Sequence, residues 1–322
     1  MSTPFSTCWV VTDGKAGMES QCVGLAEALG LSPVIKQVQL RPLWRALSPY
    51  LRMRLAHAFK NKHVLSPPWP DLLIASGRLS VAASLYVRAQ SRRDGRPTLT
   101  IQIQDPVIAP SYFDLVIAPL HDELRGDNVI RTVGALHRIR AEKLAAAAEA
   151  LRQRVVPIGP PFIGVLIGGA NGVYRMGEQE ILALSARLDE FATREGASLI
   201  VTPSRRTGDG NIALLGTSLK SERVFLWDGT GENPYFGILG LADRLVVTAD
   251  SVNMISEAVA SGKPVYVYPL PGGSQKSQRF LDTVFARNLA RPLRSPIEDY
   301  EPVAFNEMET VARAVRERLA AR

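Results

Sequence analysis

Three short stretches in the second half of the chain carry residue types that suit a diphosphate. In GVLIGGANGVYRM an apolar run ends in a Gly-rich turn, 168–172, with Gly168, Gly169 and Asn171; such a turn entering a helix offers backbone N–H groups to an anion. A tight turn needing positive φ explains the same letters. VTPSRRTG sets Ser204, Arg205, Arg206 and Thr207 where the next apolar run stops. Guanidinium forks neutralise phosphate and hydroxyls donate to it, although a solvated arginine pair is the ordinary alternative. The third stretch, VVTADSVNMISEAVASGKPVYVYPLPG, puts Ser251 at a helix start and Glu257 on that helix. A helix N-terminus favours anions, and a carboxylate can bind a ribose diol bidentately; a capping Ser and a surface Glu are the plainer roles. The polar loop 273–278 then brings Gln275, Lys276 and Gln278 beside the same pocket.

The first half offers TDGKAGMESQ, 12–21. Asp13 stands at the end of an apolar run, where a partly desolvated carboxylate can act as a general base or can cap the turn. The stretch is not GxGxxG and no acidic residue follows at the usual spacing, so a dinucleotide fingerprint is absent. No Walker A, GxSxG or HExxH motif occurs, and His57, His63, His121 and His137 lack metal-ligand spacing. Cys8 and Cys22 are too few for a disulfide framework or a thiolate zinc site and fit buried thiols in a reducing compartment.

Elements must hold these loops at one edge. With 322 residues, 46% hydrophobic and 21% charged, the chain is long enough for two domains and excludes disordered and fibrous classes. Short Val- and Ile-rich runs alternate with helical stretches, the pattern of parallel sheets with crossover helices. Strands are predicted at 8–12, 34–40, 71–75, 98–104, 113–118, 129–133, 162–167, 198–202, 223–227, 244–248 and 264–269. Helices are predicted at 18–29, 43–59, 79–91, 138–154, 177–194, 212–219, 254–261, 278–286 and 306–321. Pro157, Pro160 and Pro161 mark a stiff join. The expected fold class is α/β: two Rossmann-like doubly wound domains, 1–155 and 156–303, facing a cleft, with a last helix in 304–322 free to pack on the first. In such sheets ligands sit at the strands' carboxyl ends.

Segment 41–62 holds Arg41, Arg45, Arg52, Arg54, Lys60 and Lys62 without an acidic residue, while Leu43, Leu47, Leu51, Leu55 and Phe59 recur every fourth position. An amphipathic helix lying on an anionic membrane and a helix packed on the sheet with a solvated basic face both fit. The longest apolar runs fall far short of the ~18 residues of a spanning helix, and the start lacks a secretory pattern. A cytoplasmic location is expected, with the inner face of the cytoplasmic membrane as the surface for the basic segment. The net charge of +7 suits an anionic partner, but no reader motif points to nucleic acid.

The motifs TDGKAGMESQ, IQIQDP, GGANGVY, TPSRRT and TADSVNMISEA, in this order, together resemble the mitochondrial-fission (elongated mitochondria) family, and its bacterial branch in particular. SVNMISEAVASGKPVYVYPLP is also similar to the nucleotide-sugar segment of GT-B glycosyltransferases, especially the N-acetylglucosaminyltransferase of lipid II synthesis. Val252 stands where that enzyme has a Gly, and TDGKAG replaces its N-terminal Gly-rich loop. The resemblance implies a GT-B-like fold and a nucleoside-diphosphate-sugar donor, with no cofactor or metal. It puts Gly168, Gly169, Asn171, Ser204, Arg205, Arg206 and Ser251 on the diphosphate, Glu257 on the ribose, Trp227 near the base, and Gln275 and Gln278 on the sugar. A lipid or cell-envelope glycan acceptor would meet the first domain, with Asp13 or Asp105 as base; Asp105 precedes Pro106 and is equally a turn former. A non-catalytic scaffold recruiting a partner at a membrane and a sugar-nucleotide epimerase are the alternatives.

Overall fold

The computed structural model describes residues 5–294 and 296–320, which form two units, one running to Arg138 and resuming at Asn306, the other spanning Ile139–Phe305. The first unit holds β1 (Cys8–Thr12), α1 (Ala16–Ala28), β2 (Val34–Gln37), α2 (Pro42–Ala46), β3 (Leu72–Ser76), α3 (Val81–Arg93), β4 (Leu99–Ile103), β5 (Leu115–Pro119) and β6 (Val129–Thr132). The second holds α4 (Ala141–Val155), β7 (Phe162–Ile167), α5 (Glu178–Glu195), β8 (Ser198–Pro203), α6 (Asp209–Ser218), β9 (Val224–Leu226), α7 (Tyr235–Leu241), β10 (Arg244–Thr248), α8 (Val252–Ala260), β11 (Val265–Tyr268), α9 (Gln275–Ala286) and β12 (Arg291–Pro292). α10 (Glu307–Ala320) returns to the first unit.

Each unit is built on a six-stranded parallel sheet, ordered β2-β1-β3-β4-β5-β6 and β12-β11-β10-β7-β8-β9. The period-2 alternation of β1 explains how its sheet is covered on both faces. Cys8 and Val10 join Leu72 and Ile74 in a core with α1 and α10, whereas Trp9 and Val11 join Leu73 and Ala75 against Ala83 and Val87 of α3. Chain order reverses between β1 and β3 in the first sheet and between β7 and β10 in the second, and the crevices beyond these carboxyl ends are where ligands bind in doubly wound folds.

The domain boundary differs from expectation. α4 belongs to the second unit because it packs on α7, so the division falls at Arg138 and not at Val155. That contact needs glycine: a Cβ on Gly240 would sit 2.4 Å from the Leu144 carbonyl oxygen, and one on Gly237 2.8 Å from that of Ala147. α10 covers the first sheet with Met308, Val311, Ala312, Val315 and Leu319, and the Glu307 carboxylate accepts the backbone N–H groups of Val133 and Gly134.

The helix predicted over 43–59 does not form. α2 ends at Ala46; Pro49 has no N–H to donate and disfavours helical backbone at Ser48, and the chain goes on through single 3-10 turns at Leu55–His57 and Lys62–Leu65. The leucine stripe is therefore broken: Leu43 and Leu47 are 56% and 48% exposed, while Phe59 is buried. Among the described residues, no helix is long and apolar enough to cross a membrane.

Candidate functional site

The first two positions of the turn after β7 have room only for glycine. A Cβ on Gly168 would lie 2.1 Å from Asp250 Oδ2, and one on Gly169 2.1 Å from the carbonyl oxygen of Arg206. Asp250, two residues beyond β10, is the hub of this crevice and was not among the residues singled out from the sequence. Its side chain is fully buried; Oδ1 accepts the Thr248 hydroxyl at 2.6 Å, and Oδ2 accepts the Gly169 N–H at 3.1 Å and pairs with Arg206 Nη2 at 2.7 Å. Ser204 and Thr207 hydroxyls donate to the Gly168 carbonyl at 2.7 and 2.5 Å, and Arg206 Nη1 donates to that of Gly169 at 3.2 Å. Loops from three strands are thus fixed to one another by polar bonds inside the fold, where each bond is costly to leave unmade.

This arrangement divides the predicted diphosphate residues into two sets. Gly168, Gly169, Ser204 and Arg206 spend their polar groups on the framework. Asn171 braces the turn, its Oδ1 accepting the N–H groups of Val173 and Tyr174 at 2.9 Å and its Nδ2 donating to the Asp250 carbonyl at 3.3 Å. Arg205 is exposed and makes no ion pair among the described residues, so its guanidinium is available to an anion. Ser251 is the N-cap of α8 and accepts the Met254 N–H at 3.3 Å. The signal for Asp250 was present in VTADS: a carboxylate placed between a buried strand and a helix cap has no route to water unless the turn supplies its partners.

Glu257 lies six residues beyond that cap, nearly two turns along α8, and is half-buried. Its Oε2 accepts the Tyr235 hydroxyl at 2.5 Å. Desolvation raises the Glu257 pKa, against the pull of the Tyr235 hydrogen bond and the Lys143 charge, and burial beside Glu257 pushes the Tyr235 phenol well above its usual value. Trp227 follows β9 at the sheet edge, half-buried, with Nε1 donating to the Thr230 carbonyl at 2.7 Å. A cavity of about 470 Å³ borders Tyr174, Ala249, Ser274, Gln275 and Gln278, at the carboxyl ends of β10 and β11. It brings the predicted sugar loop to the strand that carries Asp250. α9 starts there, with Ser274 as its cap. A larger cavity, about 720 Å³, lies between α4 and the 230–237 segment and touches none of the switch-point turns; the smaller one reaches Tyr174 and Ala249 beside them.

In the first unit, the Asp13 carboxylate pairs with Lys15 Nζ at 2.7 Å and its side chain is 14% exposed. Thr12 Oγ1 accepts the Gly14 N–H at 3.0 Å, which closes the turn locally. Asp105 Oδ1 accepts the Val107 N–H at 2.7 Å, an Asx turn that holds Val107 at φ 64°. The two carboxylates follow β1 and β4, which flank β3 in the sheet.

Comparison with known proteins bears on both the fold and the lineage. UDP-GlcNAc 2-epimerase from Neisseria meningitidis, solved bound to UDP-GlcNAc, superposes with a TM-score of 0.58 at 14% identity, covering 98% of this chain and 100% of that one. MurG from Acinetobacter baumannii gives 0.51 at 12% identity, with 98% and 92% covered. Both likenesses establish the GT-B-like fold. The mitochondrial fission protein ELM1 of Arabidopsis thaliana is 26% identical over 97% of this chain and 91% of its own length. The family model described as mitochondrial fission ELM1 matches residues 16–319, which span the Asp250 hub, the Tyr235–Glu257 contact and α10 alike, and the chain accordingly belongs to the mitochondrial fission ELM1 family.

Proposed function

We propose that this protein is a glycosyltransferase that moves a sugar from a nucleoside-diphosphate donor to a lipid or cell-envelope glycan, using no resident cofactor or metal. The observation that supports it is the set of loops tied together by Asp250 at the β7/β10 switch point, bordered by a cavity that reaches Gln275 and Gln278. In this reading the C1–O bond to the diphosphate breaks, and Arg205, the remaining turn N–H groups and the α8 N-terminus take up the charge that develops on the leaving group. The acceptor oxygen bonds to C1 and gives its proton to Asp13. Glu257 holds the ribose, Trp227 borders the base, and Gln275 and Gln278 orient the sugar.

Thermal shift over nucleoside diphosphates and their sugars, beginning with UDP-GlcNAc because the Neisseria neighbour was solved with it, tests the donor half. A ligand at 100 times its Kd adds about 2.7 kcal/mol of stability. Absence of a shift with every nucleotide would sink the proposal. The epimerase likeness favours one alternative, which predicts interconversion of the sugar nucleotide without acceptor. A scaffold that recruits a partner predicts binding without turnover.

For the acceptor we propose an anionic membrane surface. Leu43, Leu47, Tyr50 and Met53 are 56%, 48%, 68% and 72% exposed within a segment carrying Arg41, Arg45, Arg52 and Arg54. Apolar side chains of this kind enter the headgroup region while guanidiniums meet phosphate, without needing a continuous helix. Co-sedimentation is expected with anionic vesicles, falling as salt shortens the ~10 Å screening length of 0.1 M solution. Equal binding to neutral vesicles, or none, would remove the membrane from the proposal.

A further inference from the structure

The cavity beside the Asp250 hub holds a buried phenol that the fold itself leaves without a partner. Tyr174 is 5% exposed and its backbone is held from two sides: Asn171 Oδ1 accepts its N–H at 2.9 Å, and it faces Gly272 across an antiparallel bridge. A Cβ on Gly272 would lie 2.2 Å from the Val173 carbonyl oxygen, so the two loops meet backbone to backbone and fix where the ring sits. The Tyr174 hydroxyl makes no hydrogen bond among the described residues, yet it is not sealed off, and the space it opens to is the cavity it lines. Arg294, just beyond β12, lines the same cavity and makes no ion pair or hydrogen bond among the described residues. The other polar groups are partly spent: Ser274 Oγ accepts the Ser277 N–H as the cap of α9, and Gln278 Nε2 donates to Asp282 Oδ1 at 2.8 Å. Val267, Leu281 and Phe285 make the walls apolar, and no Asp or Glu stands among the described residues of the lining. Every hydroxyl of a neutral sugar donates as well as accepts and asks for acceptors in return, whereas a carboxylate only accepts. A phenolic hydrogen and a guanidinium on apolar walls suit the second kind of group.

Resting on the donor reading above, we infer that the sugar carried into this cavity is a uronic acid, its carboxylate held by the Tyr174 hydroxyl and the Arg294 guanidinium. The cavity reaches Ala249, the neighbour of Asp250, so it opens beside the turns assigned to the diphosphate, where the sugar of a donor must lie. Tyr174 supplies a fixed direction and Arg294 supplies charge, which together favour the uronate over the hexose that differs from it only at C6.

Calorimetric titration with ADP, GDP, CDP and UDP first fixes the base. On the nucleotide that binds tightest, glucose is compared with glucuronate and galactose with galacturonate. In at least one pair the uronate should bind roughly 10- to 100-fold tighter than its hexose. Tyr174→Phe keeps the ring and removes the hydroxyl, and Arg294→Gln removes the charge; each should cut that preference by about tenfold. Melting curves check that both variants fold, and Arg294→Gln, at an exposed side chain, carries the test if Tyr174→Phe does not. Uronates bound no tighter than their hexoses, or a preference that survives both substitutions, overturn this inference and leave donor binding intact. Variants that weaken nucleotide, hexose and uronate alike overturn it too, because the two side chains then only shape the cavity. No binding of any of the four diphosphates overturns the donor reading, and this inference with it.

Discussion

The turns after β7 and β1 hold corresponding places at the switch points of their sheets, yet they are held in opposite ways. The β7 turn is cross-braced from two other strands by a buried carboxylate, so Gly168, Gly169, Ser204 and Arg206 cannot move independently. The side chains of the β1 turn bond locally, Thr12 to Gly14 and Asp13 to Lys15, and its one tie outward described here is backbone, the Val38 N–H on the Thr12 carbonyl. A rigid cradle suits a ligand part that is the same in every turnover, such as a diphosphate. A locally closed turn with a carboxylate near solvent suits a group that must exchange a proton and meet a varied acceptor.

The contrast breaks most visibly at Asp13. Asp13→Asn is expected to lower kcat by ~10²–10⁴ with donor affinity unchanged, measured as donor turnover with an envelope lipid extract. Its melting point should barely move, since a partly exposed ion pair contributes about 0–1 kcal/mol. A variant that loses stability but not turnover would make Asp13 a turn former and nothing more.

At the braced turn the order of effects reverses. Asp250→Ala strips Arg206, Gly169 and Thr248 of a buried partner and should cost on the order of 3 kcal/mol in denaturant unfolding, with diphosphate binding lost as the turn relaxes. A cost as small as that of Asp13→Asn would erase the distinction between the two turns.

Glu257→Gln separates stability from binding. Burial raises the folded-state pKa of Glu257, so the folded chain holds this proton more tightly than the unfolded one, and the carboxylate weakens the fold as pH rises through the ordinary carboxylate range. The amide should therefore melt slightly higher at neutral pH while binding the nucleotide about 1.5–3 kcal/mol more weakly. A lower melting point would refute the linkage.

Smallest is the division between adjacent arginines. Arg205→Ala should weaken diphosphate binding by about 1 kcal/mol, most at low salt, without changing stability. Arg206→Ala should lower stability as well, because it leaves Asp250 unpaired. Identical behaviour of the two variants would show that the brace does not distinguish them.

The strands were legible because buried parallel strands are continuous apolar runs: 8–12, 162–167 and 244–248 match β1, β7 and β10 residue for residue. α7 was illegible because YFGILGL carries two poor helix formers, and its stability comes from close packing on α4, a tertiary term no local pattern reveals. The segment 43–59 erred the other way. Its leucine period was real, but Pro49 outweighed it. At the site, residue types pointed to loops that the strand order sets side by side and missed what binds them together. Asp250 lies beside Ser251 in sequence, yet its partners come from positions about 45 and 80 residues earlier, a connection that only the strand order makes.

The return of α10 to the first sheet sets an order of events during synthesis. The apolar face around Val10 and Ile74 is translated before the second unit, but five of the residues that cover it, from Met308 to Leu319, come after that unit. At ~5–20 residues per second, the stretch from Ile139 to Ala320 keeps that face waiting on the order of ten to forty seconds, long enough for the second unit to fold first. Nascent chains should therefore expose a half-covered first sheet to chaperones. Early termination near residue 306 would spare every loop of the β7/β10 crevice and still release a protein prone to aggregate.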